Sequence, residues 1–236
     1  MGDNENAPQV FTNRFGDAGI PARDSCTCLA RPYRTIGFHA ERQDTTAPGW
    51  VRLLELIDEA AADGRTLFKP LAEMSAEERR QVITLPATIA KLTAVEHFVL
   101  YGSNLVRIPP EIGAMTNLTL FEPYTSYRLH WFPYEITRCA KLADSTVSTR
   151  ALYGNYKYRP PFPATSDSAD STDGDVRGCS VCDGPVTRLH QVWITLAVGT
   201  DYLPLLVNAC SADCVAALPP PAKGYAPTPH TGGSQG

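Results

Sequence analysis

Apolar residues return along the middle of the chain in a regular frame. Leu85-Pro86-x-x-Ile89-x-x-Leu92, Ile108-Pro109-x-x-Ile112-x-x-Met115 and Phe132-Pro133-x-x-Ile136-x-x-Cys139 begin 23 and then 24 residues apart. Leu100, Tyr124 and Val147 recur at the same interval, with Leu105, Leu129 and Leu152 each five residues later. A period of this length marks supersecondary units that cannot bury their aliphatic side alone and must stack on the next unit. Each unit predicts a short strand and a looser return.

The flanks carry other periods. Upstream, Trp50, Leu53, Leu54, Ile57 and Ala61 fall at helical spacing, and Gly64 follows where a helix C-cap needs left-handed backbone. Ser75 to Glu78 has the form of a capping box, in which hydroxyl and carboxylate each take one orphan N–H of a helix start. Downstream, Val192, Ile194, Leu196 and Val198 alternate, Gly199-Thr200-Asp201 turns the chain, and Tyr202 to Val207 returns, which predicts a β-hairpin. Ala164 to Gly178 is small, polar and acidic, with nothing to bury, and reads as a linker. The expected organisation is a disordered start (1–20), an N-terminal segment with a helical cap (21–82), the repeats and their cap (83–163), a flexible acidic linker (164–178), a C-terminal module (179–221) and a disordered tail (222–236).

The repeated frame resembles the leucine-rich repeat Leu-Pro-x-x-Ile-x-x-Leu-x-x-Leu-x-x-Leu-x-Leu-x-x-Asn-x-Leu over roughly residues 83 to 157. In that family an Asn side chain ties neighbouring backbones together; its place here is taken by Ser103, Tyr127 and Arg150. The resemblance implies a curved solenoid that binds another macromolecule on its concave side.

The chain holds seven cysteines. Four of them form two close pairs, Cys179-x-x-Cys182 and Cys210-x-x-x-Cys214. Thiolates two or three residues apart bind one ion when the backbone turns sharply between them, and Asp183-Gly184 offers such a turn. The hairpin brings the second pair back to the first, and Ser211 is suited to cap a short helix ended by Pro219-Pro220-Pro221. Knuckle, hairpin and helix start resemble a treble-clef zinc finger, closest to the TRASH-like fingers with a Cys-Ser-x-x-Cys second half. Four sulfur ligands leave no open position for water, so the expected zinc is structural. The expected class is therefore α/β: a short leucine-rich repeat solenoid with an N-terminal helical cap, plus a small zinc-binding β-hairpin module tethered behind it.

Composition narrows the functional classes. Hydrophobic residues make up 43% and charged residues 19%, ordinary for a globular chain, and the longest apolar runs are far too short to span a bilayer. The start Met1-Gly2-Asp3-Asn4-Glu5 lacks the basic and apolar regions of a secretion signal, and removing the four ligands leaves the odd set Cys26, Cys28 and Cys139. A reducing, cytoplasmic setting is expected. The net charge of -4 is uneven: residues 85–163 are basic on balance and 164–236 acidic, so the finger side repels phosphate and nucleic acid is an unlikely partner.

No phosphate loop, dinucleotide fingerprint or catalytic triad is present. The expected function is a non-enzymatic protein–protein interaction module. Strand residues between the buried ones, His97, Val99, Tyr101, Thr125, Thr146 and Ser148, would face a protein or peptide partner. Tyr127, Arg128 and Arg150 add the Tyr and Arg composition that interfaces favour. Two alternatives stand beside it: a metal-dependent enzyme using Cys26, Cys28 and His39, and a nucleic-acid-binding zinc finger protein.

Overall fold

The structure, a computed structural model, describes residues 29–30, 35–149, 153, 162–165 and 178–233. Strands β1 (Leu29–Ala30) and β2 (Thr35–Ile36) form an antiparallel pair. Helix α1 (Pro48–Asp63) opens on proline, whose missing N–H is no loss in a first turn, and buries Trp50, Leu53, Leu56, Ile57 and Ala60. It ends where Gly64, at φ 67°, returns its N–H to the Ala60 carbonyl. Helix α2 (Ala76–Gln81) begins at the capping box: the Glu78 N–H donates to Ser75 Oγ at 3.2 Å and the Ser75 N–H to the Glu78 carboxylate at 2.7 Å. The two helices meet backbone to backbone, since a Cβ on Gly49 would lie 2.2 Å from the Glu78 carbonyl oxygen.

Three short strands, β3 (Leu67–Phe68), β4 (His97–Val99) and β5 (Leu120–Glu122), pair in parallel with Phe68, Phe98 and Phe121 in register. Their rings stack at 5.6 and 5.7 Å, and Phe132 closes the column edge-on at 6.2 Å. All four are wholly buried, at roughly 2 kcal/mol of transfer free energy each. Three equivalent 3-10 turns recur in the repeat frame: Ala87–Lys91, Pro110–Ala114 and Tyr134–Arg138. These turns follow Pro86, Pro109 and Pro133, whose locked φ sets the entry to each, and they bury Ile89, Ile112 and Ile136 completely.

The expected solenoid with a tethered finger is corrected by the strand order. The chain is α/β, but among the described residues it builds small separate sheets. The parallel ladder stops at three strands and one further bridge, Phe121 to Val147. The third unit's Phe132–Pro133 forms β6, which leaves that ladder for a second sheet in the order β6-β8-β7. There β7 (His190–Val198) and β8 (Asp201–Ala209) make the antiparallel hairpin, and β8 pairs in parallel with β6 through Phe132–Leu205 and Pro133–Leu206. The physical reason is a shared interior. Leu203, Leu205 and Val207 of β8 are wholly buried in the same cluster as Leu53, Phe98, Ile112 and Ile136, so the hairpin completes the core rather than standing apart from it.

The segment after the finger also departs from expectation. Residues 222–233 of the expected disordered tail run back along β7: the Ala222 N–H donates to the Thr195 carbonyl, and Trp193 and His230 exchange backbone bonds at 2.7 and 3.1 Å. Thr165, placed in the expected linker, joins this strap through its N–H to the Thr231 carbonyl at 2.8 Å. The strap satisfies donors and acceptors that an open strand edge would offer to another chain.

Candidate metal centre

Cys179, Cys182, Cys210 and Cys214 come together at one end of the β7-β8 sheet, their sulfurs all within 4.8 Å of one another. The first pair sits on a tight knuckle. The Cys179 N–H donates to the Gly184 carbonyl at 2.9 Å and the Asp183 N–H to the Cys179 carbonyl at 3.0 Å, with Asp183 at φ 61°. Aspartate tolerates that left-handed turn, and Gly184 keeps it open: a Cβ there would meet Cys182 Sγ at 3.2 Å. The second pair flanks the start of helix α3 (Ala212–Ala216), whose cap Ser211 accepts the Cys214 N–H at 3.2 Å. The knuckle is bound to the returning strand by Ser180, which donates its N–H to the Asn208 carbonyl at 2.8 Å and accepts the Asn208 N–H on Oγ at 3.0 Å.

The donor set suits a metal ion. Cys182–Cys210 and Cys210–Cys214 lie 3.6 Å apart, far beyond a disulfide's ~2.05 Å and close to the ~3.8 Å edge of a tetrahedron with 2.3 Å metal–sulfur bonds. Cys179 Sγ accepts the N–H groups of Val181 and Cys210, both at 3.4 Å, bonds of the kind that orient and stabilise a thiolate for a metal ion. Cys179 is buried, and desolvation raises its pKa, yet the surrounding N–H donors prevail and draw it down to about 6. Hydrogen bonds with Cys182, Cys214 and Cys179 push Cys210 up to about 12. Such crowding favours one thiolate among thiols until a cation offsets the rest. Among the described residues this is the one cluster of Cys, His, Asp or Glu with metal-binding geometry.

Cys26 and Cys28 lie outside the described residues, and His39 is buried, its ring stacked on His130 at 5.5 Å and its Nδ1 3.1 Å from the Glu41 carboxylate. Cys139 is core: 2% exposed, its Sγ donating to the Ile112 carbonyl, its thiol pushed by burial to about 12.

The expected partner face is sorted by the parallel register. Leu67, His97 and Leu120 form one row, Val99 and Glu122 the next, and the Tyr101 and Tyr124 rings lie 6.0 Å apart beyond them. His97 Nε2 and the Glu122 carboxylate are 2.5 Å apart. Thr146 is exposed, and Ser148, half-buried, donates its N–H to the Phe121 carbonyl. Thr125 is a correction: at φ 61° and 7% exposed it points away from solvent. Arg128 is another, its side chain 11% exposed and ion-paired with Glu41. Tyr127 is half-buried, and Arg150 lies outside the described residues.

Sequence reasoning passed over Glu135 and weighed Arg138 only as part of a basic stripe for the nucleic-acid alternative. Arg138 ties the third 3-10 turn to the knuckle, 2.7 Å from the Asp183 carboxylate and donating to the Ser180 carbonyl at 2.9 Å. The available signal was the frame itself, which places Glu111 and Glu135 at equivalent positions of successive units. Among the described residues no helix is long and apolar enough to cross a membrane. No family model, curated protein or solved structure matches the chain.

Proposed function

We propose that the chain is a non-catalytic protein-binding module of a reducing compartment, the cytoplasm, held together at one end by a structural zinc ion on Cys179, Cys182, Cys210 and Cys214. The observation that carries the metal half is the tetrahedral reach of four sulfurs supplied by two separate segments. Zinc suits an all-thiolate tetrahedral set, and with four cysteines bound no position remains for water, so the ion supplies cross-linking rather than hydrolysis. Its neighbours fit that role: Arg138, Ser180 and Asn208 transmit the knuckle's position to the third 3-10 turn and to β8.

The binding half rests on the open row of β4 and β5. His97, Val99, Tyr101, Glu122 and Tyr124 share a solvent-facing side of rigid parallel backbone, and paired tyrosines give large contact area at small entropic cost. The resemblance of the frame to leucine-rich repeats, whose members commonly bind proteins, points the same way.

Elemental analysis of protein purified without chelator should find about one zinc per chain. In affinity capture from the native host, Tyr101→Ala combined with Tyr124→Ala should deplete specific partners while zinc content and melting temperature hold. A metal-free, equally stable wild type sinks the zinc reading; identical partner recovery by the double variant sinks the binding face.

A further inference from the structure

Away from the tyrosine face, a groove of about 410 Å³ runs past Trp50, Trp131, Pro86, Pro109 and Pro133 to Glu135 and Asn208. A second hollow of about 340 Å³ opens on the far side of the same residues, sharing Pro110, Glu111, Glu135 and Asn208 with the first. Glu111 and Glu135 therefore stand where the two meet. The apolar wall is rigid, because Pro86, Pro109 and Pro133 each lead into a 3-10 turn and cannot swing aside.

Glu135 is the anomaly. It is 6% exposed, and its side chain bonds to the neutral Ser180 hydroxyl; among the described residues no cation pairs with it. Arg138, whose charge acts on it, is committed to Asp183 at 2.7 Å and to the Ser180 carbonyl. Arg107, at the other end of the groove, donates to the carbonyls of His39 and Glu41. Burial pushes the Glu135 carboxyl up. An acid desolvated without an opposite charge is costly to fold around, and it is tolerated where a ligand supplies that charge. A concave site of this volume, in which a wall of prolines and tryptophans meets polar groups such as Glu135 and Asn208, is the form small recognition sites take.

We propose that this groove is a recognition site for a basic side chain of a proline-containing peptide, the cation meeting the Glu135 carboxylate and the neighbouring prolines lying along Trp131 and the proline wall. A guanidinium suits the place best: its planar fork bonds a carboxylate two-fold and stacks on an indole face. Flat proline rings pack on tryptophan, the basis of aromatic-lined grooves for extended proline-rich chains. This site is separate from the tyrosine face, so the two succeed or fail independently.

The test titrates full-length, zinc-loaded protein with end-blocked Pro-Arg-Pro and with Pro-norleucine-Pro, followed by tryptophan fluorescence, since two of the chain's three tryptophans line the groove. The arginine peptide should bind with Kd below about 1 mM and the norleucine peptide at least about tenfold more weakly. Glu135→Gln should remove the preference for arginine without lowering the melting temperature, because it relieves a desolvated acid, whereas Tyr101→Ala with Tyr124→Ala should leave peptide affinity unchanged. Equal affinity for the two peptides, no saturation by either at millimolar concentration, or full arginine preference in Glu135→Gln overturns the proposal.

Discussion

The hydroxyls of Ser103 and Ser126 lie 2.6 Å apart in the protein interior, one from each of two successive units. Ser126 Oγ donates to the Leu100 carbonyl at 3.1 Å and accepts the Ser103 N–H at 3.2 Å, so the Ser103 hydroxyl is the donor between the two. Both residues are under 5% exposed. Ser126→Ala strands the Ser103 hydroxyl, and it should lower the unfolding free energy in urea by about 2 kcal/mol. Ser103→Ala should cost less, since Ser126 keeps two of its bonds. Equal, small effects from both would show that water replaces the pair.

Metal removal should be felt well beyond the knuckle. Because β8 pairs with β6 and shares one core with the ladder, Cys210→Ser or a strong chelator should expose the Phe132 amide of β6 and the amides of β8 to hydrogen exchange and reduce stability by several kcal/mol. Cys139→Ala, which touches no ligand, should leave zinc content unchanged. If exchange quickens only within residues 179–184 and 210–216, the coupling through β8 is wrong.

The hairpin tip docks against the third unit by close backbone contact. Gly199 has φ 59°, and a Cβ on it would stand 2.1 Å from the Ser145 carbonyl oxygen and 3.0 Å from that of Leu142. Gly64 has φ 67° with open space around it. Gly64→Ala should therefore cost about 1 kcal/mol, the left-handed penalty alone, and Gly199→Ala at least twice that. Calorimetric melting of the two variants separates the terms; matching losses would mean that the tip is not seated on Ser145.

Asp201, at the start of β8, gives a pH signature. Desolvation raises its pKa from 3.8 to about 6, against a backbone hydrogen bond from Thr149 that lowers it. Between those values the folded state holds more protons than the unfolded chain, so this group's stabilisation is complete below about pH 4 and is lost as pH rises through about 6. Allowing for partial exposure, the loss is about 1–2 kcal/mol. Asp201→Asn should be more stable than the parent above pH 6, with the difference shrinking toward pH 4. A difference independent of pH would rule out titration of Asp201 as its source.

What the sequence determined by itself was local and periodic. Helical spacing and Gly64 marked α1, Ser75 and Glu78 marked the start of α2, alternation with a Gly-Thr-Asp turn marked the β7-β8 hairpin, and cysteine spacing marked the metal cluster. Each depends on contacts within a few residues or on a motif whose geometry is its spacing. The tertiary structure alone decided that β6 would leave the ladder for β8, that residues 222–233 would strap β7, that Ser126 rather than Tyr127 would join Ser103, and that Glu135 would be buried with no cation paired to it among the described residues. Those outcomes turn on which strand edge stays open and which apolar face still needs cover once the rest has packed. Partners distant along the chain settle such questions, and no local pattern encodes them.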